Sequence, residues 1–343
     1  VAGEVSGEMV WRTAGMGWPE EGPVLRWVGE ERVSPLSFGT KECGAEERGA
    51  EVSGEVREPG QGGAARVTTY GRSIAFRVVG ERRCVGVRGN PCPLSAVIAQ
   101  GRATRAQCAE CAQLDRSRSV AADTMADDPR PYAVYLAWFG PGLVKVGITR
   151  EDRGAARLRE QGAVAFSWLG RGPLMAARRC EELLRAALGV PDRISYVRKR
   201  AVRGALPGPG ERAAEVRELH ERSVRLMGWP EALERVACVV VDLVGVYGLD
   251  AVQGDGRGGE AGGGGRTEVT GVIGELVTGG SVAGRVVAVA GPDVYLEAGG
   301  EVVVLDSRLM EGWELGRGDA GGGVTVPVKG VEGRGAGVQD GLF

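Results

Sequence analysis

The stretch from Tyr132 to Leu188 constrains the fold of this chain more than any other. YAVYLAWF is an apolar run of strand length, Gly140-Pro141-Gly142 is a turn, and LVKVGI returns as a second apolar run. A link of about three residues leaves the two strands no pairing but antiparallel. Thr149 is placed to cap a helix over 152–161 that opens with acidic residues, and Gly162 ends it. AVAFSWLG supplies a third strand and 174–188 a second helix, giving the order β-β-α-β-α. In that last helix Ala176, Cys180, Leu183, Leu184, Ala187 and Leu188 share one face. Glu181 falls at the margin of this apolar stripe, where a carboxylate either reaches water or an arginine, or is held for a cation.

Upstream, Cys84, Cys92, Cys108 and Cys111 are spaced C-x7-C-x15-C-x2-C. Two pairs of thiolates can surround zinc tetrahedrally, and four of them leave no open position for water, so the site is structural. Unligated buried thiols and a redox pair at Cys108 and Cys111 are the alternatives, the second without a thioredoxin-like βαβ pattern around it. No apolar run approaches the roughly 18–20 residues of a membrane span, and the N-terminus lacks the basic-then-apolar pattern of a secretory signal. The expectation is a cytoplasmic protein, a compartment in which cysteines favour metal over disulfides.

Formal charge is only −2 over the chain, yet residues 145–203 hold 14 basic and 6 acidic side chains. A basic segment in an otherwise acidic chain has the form of a nucleic-acid footprint, or of an arginine-rich solvated face. Arginine far outnumbers lysine, which stands only at Lys41, Lys145, Lys199 and Lys329; with the Val, Ala and Gly content this is a GC-rich coding bias, so arginine abundance alone carries little functional weight. The candidate phosphate contacts are Arg150, Arg153, Arg159, Arg198, Lys199 and Arg200.

The fold class expected is α+β. Residues 1–21 read as disordered and 22–113 as a β domain carrying the cysteines, in which Ile74, Phe76 and Val78 alternate as one strand face. A linker follows over 114–131, then the central domain over 132–203 and a helical extension over 204–250, read as two helices at 211–227 and 230–247. A flexible linker covers 251–268, a small antiparallel β barrel or meander 269–318, and a mobile tail 319–343. The acidic residues Glu275, Glu297, Glu301, Asp306 and Glu311 on that last β unit argue against its gripping a phosphate backbone. His220, the only histidine, reads as a solvated helix residue, and a single histidine excludes multi-histidine metal chemistry.

The run VYL, the interval from Tyr135 to Gly147, the words KVGIT, an arginine on the next helix and a glutamate on the last one together resemble the GIY-YIG nuclease superfamily. With the cysteine cluster and the words KVGITR and QGA, the chain is more closely similar to a bacterial family, domain of unknown function 2797, over roughly residues 22–200. The nuclease resemblance implies Tyr135 near an attacking water, Arg157 (or Arg153) steadying phosphate, and Glu181 holding one divalent ion such as magnesium. Two departures stand out: Lys145 occupies the place of the superfamily's second tyrosine, and Ala133-Val134 replaces Gly-Ile before Tyr135. Lysine still binds phosphate, so binding survives the change more easily than hydrolysis does.

Three functions follow for test. The first is zinc-stabilised binding of DNA or RNA with no membrane role; Tyr135, Lys145, Arg157 and Glu181 are the candidate catalytic residues of the same site. The others are a zinc-stabilised protein-interaction scaffold and a magnesium-dependent endonuclease.

Overall fold

The computed structural model describes residues 11–18, 23–28, 64–66, 73–117 except 88, 100 and 102, 128–253 and 268–331. In chain order the elements are β1 (Trp11–Gly17), β2 (Val24–Val28), β3 (Ala64–Arg66), β4 (Ser73–Val78), α1 (Ala109–Ser117), β5 (Tyr132–Trp138), β6 (Val144–Arg150), α2 (Ala156–Glu160), β7 (Ala165–Gly172), α3 (Leu174–Leu188), α4 (Tyr196–Arg203) and α5 (Pro209–Val224). They continue with β8 (Glu234–Arg235), β9 (Val241–Asp242), α6 (Val244–Tyr247), β10 (Val269–Ile273), β11 (Ser281–Ala290), β12 (Asp293–Ala298), β13 (Glu301–Asp306), β14 (Glu314–Arg317) and β15 (Val328–Gly330). The protein is α+β, and no helix among the described residues is long and apolar enough to cross a membrane.

β5 is the inner strand of the smaller sheet, ordered β6-β5-β7-β8 with β9 also on β7. Every residue of β5 is buried, because α3 packs on β5 and β6 while α5 packs on β5 and β7. That double burial explains why the run is apolar throughout instead of alternating. Glu215 of α5 ties the hairpin end down, accepting from Trp138 Nε1 at 2.7 Å and from the Gly142 amide at 2.9 Å. Thr149 does not cap a helix: it lies inside β6, Glu151-Asp152-Arg153 form a short 3-10 turn, and α2 starts only at Ala156.

The larger sheet corrects the domain division. Its order is β15-β10-β13-β12-β11-β4-β14-β1-β2-β3, so strands from both ends of the chain share one hydrogen-bonded surface. β4 pairs with β11 and β14, and β1 pairs with β14. Residues 11–17, read as disordered, are therefore a paired strand, and β15 lies within the supposed mobile tail. β11-β12-β13 is an antiparallel meander, with Gly291 and Gly299-Gly300 at its turns in the positive-φ region that glycine tolerates. The supposed helix over 230–247 is instead β8, β9 and the short α6. Residues 1–10, 118–127, 254–267 and 332–343, assigned above to termini and linkers, lie outside the described residues.

Candidate functional site

The site is built on the β5–β6 hairpin. Tyr135 faces Gly147 across the pair, and the missing side chain at Gly147 lets the tyrosine ring lie over β6. The ring is 1% exposed and packs edge-on against Trp168 of β7, with centroids 6.1 Å apart. Burial pushes the phenol above its ordinary pKa, while Gln161 and Arg157 hold it down and Glu181 adds to the rise. Two residues back along the same strand face, Lys145 sends its ammonium to 5.7 Å from the Tyr135 ring centroid, where it donates to the Asp192 carbonyl at 3.1 Å. Burial, reinforced by the Arg157 charge and opposed by Glu181 and Asp192, lowers Lys145 to about 8.

Arg157 reaches this place from α2 and remains exposed, pairing with Glu160 at 3.4 Å. Glu181 arrives from α3, half-buried; burial and then the Asp192 carboxylate raise its pKa, against Lys145 and Arg178. Arg157 of the short helix and Glu181 of the long helix thus both act electrostatically on Tyr135 and on Lys145 of the hairpin. Arg153, the alternative to Arg157, pairs with Glu160 at 2.7 Å.

The wider basic set divides. Arg198 is exposed, Arg150 is partly exposed beside Asp152, and Arg159 is half-buried. Lys199 and Arg200 are not surface phosphate contacts. Lys199 is 3% exposed, its ammonium 3.9 Å from the Phe139 ring centroid and donating to the Gln161 carbonyl at 3.0 Å, and burial lowers it to about 7. Arg200 donates from Nε to Asp293 at 2.8 Å and also pairs with Asp306. Asp306 is correspondingly buried, so it is not part of an acidic surface.

A second cluster lies at the cysteines. The ligand atoms of Cys84, Cys92, Cys108 and Cys111 all fall within 4.8 Å of one another, a set that can hold a metal ion. The seven-residue gap is a tight turn closed by Val87 and Asn90, and Gly86 is required in it because a Cβ there would meet the Asn90 carbonyl. Cys111 sits in the first turn of α1, which brings the C-x2-C pair to one side. Two backbone amides, Cys108 at 3.2 Å and Gly86 at 3.4 Å, donate to the Cys84 sulfur. The Cys92 thiol is drawn down to about 7, chiefly by the Ala96 backbone, while burial pushes Cys111 up.

A family model described as a protein of unknown function, DUF2797, matches residues 71–315, which include both clusters and most of the larger sheet. The chain belongs to the DUF2797 family. No curated protein and no solved structure matches it. The match begins later and ends much further on than the expected 22–200, so the DUF2797 unit takes in the C-terminal strands up to Leu315.

Two residues of this DUF2797 site escaped the sequence reading. Gln161, read only as part of a helix end, is buried and donates from Nε2 to the Tyr135 hydroxyl oxygen at 3.0 Å. Asp192 follows α3 and influences both Lys145 and Glu181. His220 is also corrected: it is 3% exposed and its Nε2 lies 3.1 Å from the Trp168 carbonyl, a packed helix residue behind β7.

Proposed function

We propose that this protein binds nucleic acid through a GIY-YIG-like central unit, with the four cysteines holding a structural zinc ion. The observation that carries the reading is that Lys145 lies over the Tyr135 ring on the β5–β6 hairpin and that Arg157 and Glu181 both act on this pair. Arg157 is the exposed arm that meets a phosphate, Lys145 is a second cation behind it, and Tyr135 is the buried post on which Gln161 is set. Binding ranks ahead of cleavage for two reasons. A phenol sealed at 1% exposure and raised in pKa is poorly placed to activate water, and Lys145 already acts on the one carboxylate, Glu181, that would hold magnesium.

Zinc is supported by the donor set. A tetrahedron with Zn–S bonds of about 2.3 Å has sulfur–sulfur edges near ~3.8 Å. The Cys92 and Cys108 sulfurs stand 4.0 Å apart, and amides aimed at the Cys84 sulfur suit a thiolate.

The test is fluorescence anisotropy with labelled 20-mers of single- and double-stranded DNA and RNA across a salt series. The expected result is affinity that falls steeply with salt for the wild type and is lost in Arg157→Glu. Affinity indifferent to both salt and the Arg157 reversal refutes the reading and leaves the protein-interaction scaffold. Magnesium-dependent cleavage abolished by Glu181→Ala would establish the endonuclease.

A further inference from the structure

The seam between α4 and the β12–β13 hairpin brings three arginines onto two carboxylates. Arg200, Arg203 and Arg308 pair there with Asp293 and Asp306, while Lys199 and Arg308 both lie over the Tyr196 ring. Arg203, 1% exposed, is committed inside: it donates to Asp293 at 2.6 Å and to the Gly162 carbonyl at 3.2 Å. Arg308 is different. It pairs with Asp306 at 2.6 Å, yet its side chain remains 30% accessible, and its guanidinium lies 4.1 Å from the ring centroid of Tyr196. Glu311, the next carboxylate along, feels Arg308 as well as Arg82 and Arg105.

Tyr196 connects this seam with the hairpin site. Its hydroxyl donates to the Glu160 carbonyl at 3.3 Å, Glu160 pairs with Arg157, and Arg157 and Arg308 both act on the Tyr196 phenol. Tyr196 therefore carries Arg308 of the C-terminal β unit on its ring and joins, through its hydroxyl, the end of α2 that bears Arg157. A uniformly buried network would need charge balance, because unpaired charge away from water is costly. Here the least buried of the three arginines is Arg308, its side chain 30% accessible against 17% for Arg200 and 1% for Arg203, so an anion meets it first.

We propose that Arg308, backed by Arg200, forms a second phosphate subsite across Tyr196 from Arg157. The C-terminal β unit then belongs to the nucleic-acid surface, although its acidic composition argues otherwise. This rests on the nucleic-acid reading of the central site and adds a footprint of two arginines instead of one.

The experiment repeats the salt series with the same 20-mers on Arg308→Gln, Arg308→Lys and Arg285→Gln. The last is an exposed arginine of the same β unit that pairs with Glu297 away from the seam. Expected is a several-fold weaker complex for Arg308→Gln with the salt slope reduced by about 1. Arg308→Lys should keep the slope, and Arg285→Gln should match the wild type. Should Arg308→Gln fail to fold, the Arg308 Nε–H resonance of the wild type is followed as the 20-mer is added, and it should move. A wild-type slope in Arg308→Gln, or an Arg308 resonance that stays in place while Arg157→Gln weakens binding, overturns the subsite and leaves the central reading standing. Absence of any wild-type binding overturns both.

Discussion

Replacing Gly147 with alanine tests the packing on which the site is built. A Cβ at this position would stand 2.4 Å from the Tyr135 hydroxyl oxygen, 2.6 Å from its Cζ and 3.0 Å from a ring Cε. The ring has little room to withdraw, because Trp168 lies edge-on to it and Gln161 holds its hydroxyl. Either β6 moves away from β5 or the phenol leaves Gln161, and forced overpacking of a filled core costs about 1–3 kcal/mol. The sign is diagnostic. Gly147 has no positive φ, so in the absence of the clash alanine would stabilise by about 0.5–1 kcal/mol through lower unfolded-state entropy. Denaturant unfolding of Gly147→Ala in the wild type and in a Tyr135→Leu background measures the coupling, expected at about 1–3 kcal/mol. The alanine should destabilise the wild type and be neutral or stabilising in the Tyr135→Leu background, where the facing side chain is shorter. Equal cost in both backgrounds would refute the claim that glycine is there to admit the tyrosine ring.

Binding should weaken with pH through Lys145. An anion favours its charged form, so affinity is level below about 8, falls as pH rises through that value, and loses this dependence in Lys145→Met, as anisotropy between pH 6.5 and 9.5 would show. The same shift has the opposite sign for stability: the unfolded lysine titrates near 10.5, holds its proton longer than the folded one, and so stability rises between about 8 and 10.5. Elemental analysis should find about one zinc per chain, and chelation should expose residues 84–111 to protease. Asp293→Ala strips the buried Arg203 of its carboxylate and should cost about 3–5 kcal/mol in denaturant unfolding, far more than Glu297→Ala on the exposed part of the same hairpin.

The local elements were legible where one segment decides its own structure. Strands β5, β6 and β7 and helix α3 follow from apolar runs, a Gly-Pro-Gly turn and a helical stripe close together in the chain. The ordered pattern that singles out Tyr135, Lys145, Arg157 and Glu181 puts them on neighbouring elements, and Arg157 and Glu181 act on both hairpin residues. What could not be read was pairing across distance. β4 meets β11 and β14 more than 200 residues later, and composition across the intervening glycine-rich stretches looks the same whether the flanking strands pair or not. The division into separate β units failed for that reason.

Charge misled in a related way. Arg198, Lys199 and Arg200 are consecutive, and from composition they are one basic patch. Along one helical turn they point in different directions, so Arg198 reaches solvent while Lys199 sits among Phe139, Tyr196 and the Gln161 carbonyl, and Arg200 locks onto Asp293 and Asp306. Lys199 and Arg203 hold the backbone of Gln161 and Gly162, and Gln161 in turn holds Tyr135. Part of the basic excess is therefore spent in fastening the C-terminal β unit to the hairpin site. That fastening is what sets Arg308 beside Tyr196, whose hydroxyl reaches the end of α2, so one set of buried charges both builds the interface and places the accessible ones.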